Sequence, residues 1–336
     1  MRRNTVVLTA CCNVLLTVGF ATKSLAQARL YATGVNTKGY VAGQELSASG
    51  LYMYEGEAAW RHIGWNHPRV YGIAFHPTDP NVLYLACGNG VLRTRDGGRT
   101  WKLTTDWRVT EALSIAVDPH APEHVYVATA YGLWRTADGG DTWVEASLDF
   151  ERTYTQTVAV DRTKRGRVLA GTEGGVYLSR DGGESWERVS PPDVAVLDLK
   201  QSFAEPGLWV AGMQEHGVWL SRDGGTSWHR VGGNLENTSV YAAAVDPSDT
   251  HTLAAVVWDQ GVFLSRNGGR DWTQIGSRLP TQKHYDLTFD PTRKGRLWVA
   301  TVEQGVFSSD DFGRTWVDRG LHGVLIFDLT FGPEAK

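Results

Sequence analysis

Residues 178–186 read Leu-Ser-Arg-Asp-Gly-Gly-Glu-Ser-Trp, and residues 220–228 read Leu-Ser-Arg-Asp-Gly-Gly-Thr-Ser-Trp. A polar, glycine-bearing turn closed by a tryptophan is a hairpin signal. The same turn recurs as "TRDGGRTW", "TADGGDTW", "SRNGGRDW" and "SDDFGRTW". The six closing tryptophans are Trp101, Trp143, Trp186, Trp228, Trp272 and Trp316, and a weaker copy, "MYEGEAAW", ends at Trp60. Successive copies lie 41 to 44 residues apart. A period of this length marks a repeat architecture.

Each unit carries the same runs before its turn. The copy ending at Trp186 has "TVAVD", "RVLAGT" and "GVYLSRDGG"; the copy ending at Trp316 has "DLTFD", "RLWVAT" and "GVFSSDDFG". Short apolar or alternating runs cut by Gly, Pro and Asp read as strands, four to a unit, and no segment holds a helical period. Four strands repeated at this spacing predict an all-β fold, a seven-bladed β-propeller of four-stranded antiparallel blades. The chain ends in "LIFDLTFGPEAK", which matches an innermost strand, and "RLYATG" at Arg29–Gly34 matches a second strand. Pairing of the C-terminal strand with the N-terminal strands therefore closes the ring and removes its open edges.

Residues 1–28 read as a secretory leader: Arg2 and Arg3, the apolar run "TVVLTACCNVLLTVGFA", and a small-residue cleavage site at Ala26-Gln27-Ala28. "LTAC" at Leu8–Cys11 is a lesser, lipoprotein-type reading. Residues 29–336, without a break in composition, then form a single propeller domain, exported to the periplasm or the exterior and expected to be monomeric. Loss of the leader removes Arg2, Arg3 and Lys23 and no acid, taking the formal charge from −4 to −7. Such a balance argues against nucleic acid and anionic membrane surfaces as partners, and no membrane insertion is expected after cleavage. Cys87 is the one thiol left, so stability must come from packing rather than from an internal disulfide.

The pattern S/T-x-D-x-G-x-S/T-W, as in Ser179, Asp181, Gly183, Ser185 and Trp186, resembles the Asp-box, or BNR, motif of β-propellers over nearly all of the expected mature chain. Asp96, Asp138, Asp181, Asp223 and Asp311 hold the acid position; Asn267 replaces it in one copy, and Asp271 replaces the hydroxyl there. An aspartate can accept hydrogen bonds from the unpaired N–H groups of its own turn, glycine allows positive φ, and tryptophan covers apolar area. These residues are therefore structural. The resemblance places the boxes between the third and fourth strands, away from the binding face.

The opposite face receives the loops leading into the innermost strands and those joining second to third strands. There the units stop resembling one another. The first set brings Trp65, His67, Arg69 and Tyr71; Trp107, Arg108 and Glu111; Glu151, Arg152 and Tyr154; Asp193; Asn237 and Tyr241; Lys283, His284, Tyr285 and Asp286; and His322. The second brings Tyr131, Glu173, Glu215, His216, Trp258, Asp259, Glu303 and Gln304. Aromatics, arginines and carboxylates gathered on one rim suit a binding surface. The long stretch "VNTKGYVAGQELSASG" is expected to add a lid or contact arm. Asp198, Asp286 and Asp328 interrupt apolar innermost strands, so each must either bind a neighbour's backbone or channel water, or carry a raised pKa suited to catalysis.

The superfamily implied by the resemblance holds sialidases, xyloglucan-cleaving hydrolases, sortilin-type receptors and the photosystem II stability/assembly-factor group. The Arg-Ile-Pro motif of sialidases is absent, the two-propeller cleft of the xyloglucan enzymes lacks its second half, and the cysteine-rich region of sortilin-type receptors is missing. An assembly-factor-like, non-enzymatic scaffold for a protein or glycan ligand, needing no cofactor, is the preferred expectation. The alternative is a glycoside hydrolase using Asp286 with Glu303 or Asp328, which requires carboxylates roughly 5–9.5 Å apart. No paired metal-ligand spacing is present; a cross-blade site of His67, His284 or His322 is a third possibility.

Overall fold

The computed structural model describes residues 28–37, 49–67 and 69–333. The expected leader, the lipoprotein-type box and most of the long first-blade loop lie outside the described residues. Each repeat forms an antiparallel sheet of four strands in chain order, giving seven blades. Blades two to four are Val70–Phe75, Leu83–Cys87, Gly90–Thr94 and Lys102–Leu103; Ala112–Val117, Val125–Thr129, Gly132–Thr136 and Val144–Glu145; and Thr155–Val160, Val168–Thr172, Gly175–Ser179 and Glu187–Arg188. Blades five to seven are Val196–Gln201, Trp209–Met213, Gly217–Ser221 and His229–Arg230; Val240–Asp246, Asp249–Val257, Gly261–Ser265 and Thr273–Gln274; and His284–Phe289, Leu297–Gln304, Val306–Ser309 and Val317–Asp318.

Blade one joins the two ends of the described chain. Its innermost strand is His322–Pro333, followed by Ala28–Asn36, Gly50–Gly56 and Ala59–Ile63. The first two pair from Ala28 opposite Pro333 to Asn36 opposite Val324. Val302 and Gln304 of blade seven also pair with Leu325 and His322, tying the last blade to the first.

The core lies in the seams between blades. Second and third strands such as Leu83–Cys87 and Gly90–Thr94 are buried along their whole length, which is why they read as unbroken apolar runs. Fourth strands such as Lys102–Leu103 are exposed. In one seam Tyr84, Ala86 and Val91 of blade two pack on Ile115, Val125 and Val127 of blade three. Fully burying one such aliphatic side chain stabilises the fold by about 1.5–3 kcal/mol. Sheets approach closely where side chains are absent: a Cβ on Gly212 would stand 2.4 Å from the Val240 carbonyl oxygen of the next blade. Cys87 is buried in the seam, and burial pushes its thiol up to about 12.

The quoted turn is a clasp within and between blades. Ser179 Oγ donates to Asp181 Oδ1 and accepts from the Gly183 N–H. Asp181 Oδ1 also accepts from the backbone N–H groups of Glu184 and Ser185. Gly183 has φ +84°, a conformation open to glycine. The Tyr126 hydroxyl of the preceding blade donates to the Gly182 carbonyl, and Tyr84 does the same to Gly139. Asp96 and Asp311 are held down at about 2, Asp96 chiefly by the Thr100 hydroxyl and Asp311 chiefly by the Thr315 N–H. In blade six the two departures from the motif compensate each other: Asn267 Nδ2 donates to Asp271 Oδ2 at 2.8 Å, reversing the usual hydroxyl-to-carboxylate bond.

Candidate functional site

The innermost strands share a register that builds the axis. Counted from the first residue of each, and from Ile326 in the longer closing strand, their third positions are Gly72, Ser114, Thr157, Asp198, Ala242, Asp286 and Asp328. Four of these reach the next blade's backbone. Ser114 Oγ accepts from Val158 N–H, Asp198 Oδ2 from Ala243 N–H, Asp286 Oδ2 from Leu329 N–H, and Asp328 Oδ2 from Ile73 N–H. The acids that interrupt apolar strands thus bridge blades five to six, seven to one, and one to two.

Around the axis lies a cavity of about 920 Å³ lined by the innermost strands of all seven blades. Its loop residues, Glu111, Ala130, Tyr154, Glu173, Ala195 and Gln214, come from the loops leading into innermost strands and from the second-to-third-strand loops. The cavity therefore opens on the face away from the boxes. Four of the seven second-position residues form an aromatic arc, the other three being Leu113, Gln156 and Leu197. Tyr71 stands 4.7 Å from Phe327 between ring centroids, Phe327 5.7 Å from Tyr285, and Tyr285 5.8 Å from Tyr241. Trp258 extends the arc by stacking on Tyr241 at 4.9 Å. Burial raises the Tyr154 pKa, with the charges of Glu173 and Glu111 adding to it.

Deeper in the cavity, Lys200 Nζ lies 2.7 Å from Asp286 Oδ1 and 3.2 Å from Asp198 Oδ2, and it donates to the Leu287 carbonyl. Burial opposes its charge, but Asp198 and Asp286 outweigh burial and raise the Lys200 pKa. Burial raises Asp286 against the pull of Lys200. Asp328 is pushed up to about 7, first by burial and then by the Asp286 charge. Sequence reasoning missed Lys200. Its signal was available: the fifth positions of the other innermost strands are small, as at Ala74, Ala116, Ala159, Ala244, Thr288 and Thr330. Phe327, Gln156 and Gln214 were missed as well.

Of the rim candidates, Tyr71, Glu111, Tyr154, Glu173, Tyr241, Tyr285 and Asp286 line the cavity and Trp258 flanks it. The others are dispersed. Trp65 is exposed and, with His67, covers the seam of blades one and two above Trp101. His67 Nε2 is 3.0 Å from Asn89 Oδ1, and Arg69 is exposed. Trp107 is 84% exposed and Tyr131 62%, the two most open aromatics among the described residues. Arg108 pairs with Asp106 at 2.7 Å and Arg152 with Asp193 at 2.9 Å. Glu215, Asp259 and Glu303 sit at positive φ (57°, 58° and 62°) in corresponding loops of blades five, six and seven, where they shape turns. His216 Nδ1 is 2.8 Å from the Gln214 carbonyl.

Two expectations are corrected. His284 is not on the rim: it is fully buried in the position that valine fills at Val70, Val196 and Val240. Neither ring nitrogen has a hydrogen-bond partner among the described residues, and burial lowers its pKa to about 4. Glu303 is exposed at the end of its strand and does not line the cavity with Asp286. The three histidines considered for a metal lie in separate settings, His322 pairing with Asp318 at 2.9 Å. Among the described residues no three His, Cys, Asp or Glu groups stand together as a metal site. No helix among them is long and apolar enough to cross a membrane.

Seven four-stranded blades, box turns on one face and an axial cavity open on the other define a seven-bladed Asp-box β-propeller. A family model described as "Sortilin, neurotensin receptor 3" (Sortilin-Vps10) matches residues 89–194 and 216–323. That is more than half of the chain, and the protein belongs to this family. Among solved structures, the GH74 enzyme of Niastella koreensis is similar at 19% identity and TM-score 0.70, over 89% of this chain and 55% of its own. This chain thus spans about half the length of that enzyme. YCF48 bound to D1 peptide is similar at 18% identity and TM-score 0.59, over 80% of this chain and 91% of its own. The extracellular domain of a one-component system from B. thetaiotaomicron is similar at 17% identity and TM-score 0.64, over 83% of this chain and 38% of its own. These likenesses concern the fold. No curated protein matches.

Proposed function

We propose that this protein is an exported binding scaffold without hydrolytic activity, which seats a protein or glycan ligand in the mouth of the axial cavity. The observation that carries this reading is the use made of Asp286. Its Oδ2 accepts from Leu329 N–H, and its Oδ1 accepts from Lys200 and Leu287 N–H. A carboxylate whose oxygens are committed in this way is poorly placed to attack a sugar or shuttle a proton. The aromatic arc above it remains open for contacts. The bound D1 peptide of YCF48, a chain of comparable length, supports the scaffold reading.

A hydrolase is the second reading. It is favoured by Asp328, whose carboxyl titrates near neutrality beside a second acid. One experiment separates the two. The purified protein is incubated with xyloglucan and other plant and bacterial glycans, and reducing ends are measured alongside binding. Binding without release of reducing ends supports the scaffold; turnover abolished by Asp328→Asn overturns it.

A further inference from the structure

The cavity lining carries more acid than base. Five carboxyl groups (Glu111, Glu173, Asp198, Asp286 and Asp328) and one amine, Lys200, line the cavity. Lys200 is already held between Asp198 and Asp286. Among the described residues no arginine or histidine lines it. Two nearby cations of the same face are matched locally, Arg152 with Asp193 and Arg188 with Glu151 at 2.6 Å, while Arg69 and Lys283 are exposed on the loops of this face. Glu111 and Glu173 have no ion-pair partner among the described residues.

The other wall is aromatic. Tyr71, Phe327, Tyr285 and Tyr241 form a continuous arc of rings in tilted and edge-to-face contact, and a cation is attracted to the negative face of any ring that it can approach. Both acids sit on loops already fixed. Glu111 donates its N–H to the Gly88 carbonyl and accepts from Ala130 N–H, and Glu173 donates its N–H to the Tyr154 carbonyl. Binding then needs little ordering of the site.

We infer that the cavity mouth binds an alkylammonium or guanidinium group on a basic segment of a polypeptide, held between the aromatic arc and the carboxylates of Glu111 and Glu173. The inference rests on the scaffold reading and names its ligand class. A cation gains from both walls at once; a neutral sugar gains from stacking alone; an anion is repelled by both. Trp65, Trp107 and Tyr131, exposed on loops of the same face, offer a polypeptide contact beyond the mouth that a small amine would not use.

The test is calorimetric titration of the purified protein with a capped hexalysine peptide, spermine, hexaglutamate and a neutral xyloglucan oligosaccharide. Hexalysine is expected to bind, weakening about tenfold or more as sodium chloride rises from about 50 to about 300 mM. The double substitution Glu111→Gln, Glu173→Gln is expected to weaken it about tenfold or more with an unchanged melting temperature. The single variant Glu173→Gln, at an exposed unpaired side chain, serves if the double variant misfolds. Spermine binding as tightly as hexalysine keeps the cation site and assigns it to free polyamines. Absence of cation binding, or cation binding indifferent to both glutamine variants, overturns the inference. Binding of the neutral sugar instead overturns it while leaving the scaffold intact; cleavage of that sugar overturns the scaffold itself.

Discussion

Lys200 of blade five reaches across the axis to Asp286 of blade seven, its ammonium nitrogen 2.7 Å from the carboxylate. Asp286 in turn holds the Leu329 N–H of blade one. One side-chain chain therefore links three blades, and it includes the blade that closes the ring.

Removing the cation leaves Asp198, Asp286 and Asp328 facing one another. Lys200→Met is expected to cost about 3–5 kcal/mol, the range for breaking a buried ion pair from one side. The loss is expected to be larger at pH 7.5 than at pH 5, where Asp328 is protonated and the repulsion is relieved. Urea unfolding at both values checks this; equal losses would separate Lys200 from the acid cluster.

Asp328 imposes a cost on the alkaline side. Its folded pKa of about 7 lies above the ordinary aspartate value. The folded state therefore binds more protons than the unfolded state between roughly pH 4 and pH 7, and this group's contribution falls as pH rises through that window. Asp328→Asn keeps an acceptor for the Ile73 N–H and is expected to flatten that part of the stability profile. An unchanged profile between pH 5 and pH 8 would contradict the assignment.

His284 acts with the opposite sign. Burial holds its folded pKa at about 4, below the ordinary histidine value. The unfolded state binds the extra proton, so stability is lost as pH falls from about 6.5 towards 4. His284→Val supplies the residue of the equivalent positions and removes two unpartnered nitrogens. We expect a gain of about 1 kcal/mol or more at pH 7 and a lower midpoint of acid unfolding. A loss of stability would mean that the imidazole has a partner in solution.

The blade-six clasp can be tested by exchange. Asn267→Asp places a carboxylate against Asp271 in contact now made at 2.8 Å. About 1 kcal/mol of destabilisation is expected at neutral pH, less in salt. Adding Asp271→Thr restores the arrangement of Asp311 with Thr315 and is expected to recover the loss. A double-mutant cycle measures the coupling, and simple additivity would refute it.

The sequence alone determined the seven-fold repeat, the strand order, the clasp and the pairing of the last strand with the first. Each of these is local or periodic: a turn's hydrogen bonds involve residues two to four apart, and blade identity follows from spacing. It also marked Asp198, Asp286 and Asp328 as acids in need of partners. Tertiary structure decided who those partners are, because the ring brings together positions 43 to 255 residues apart, such as Asp286 with Leu329 and Asp328 with Ile73. It also separated residues that the loops suggested as neighbours. His284 and Tyr285 are adjacent in sequence, yet a strand's alternation buries the first in a seam and leaves the second in the cavity lining. Which side chains face the axis depends on register and on the bulge between His284 and Asp286, which only the assembled sheets fix.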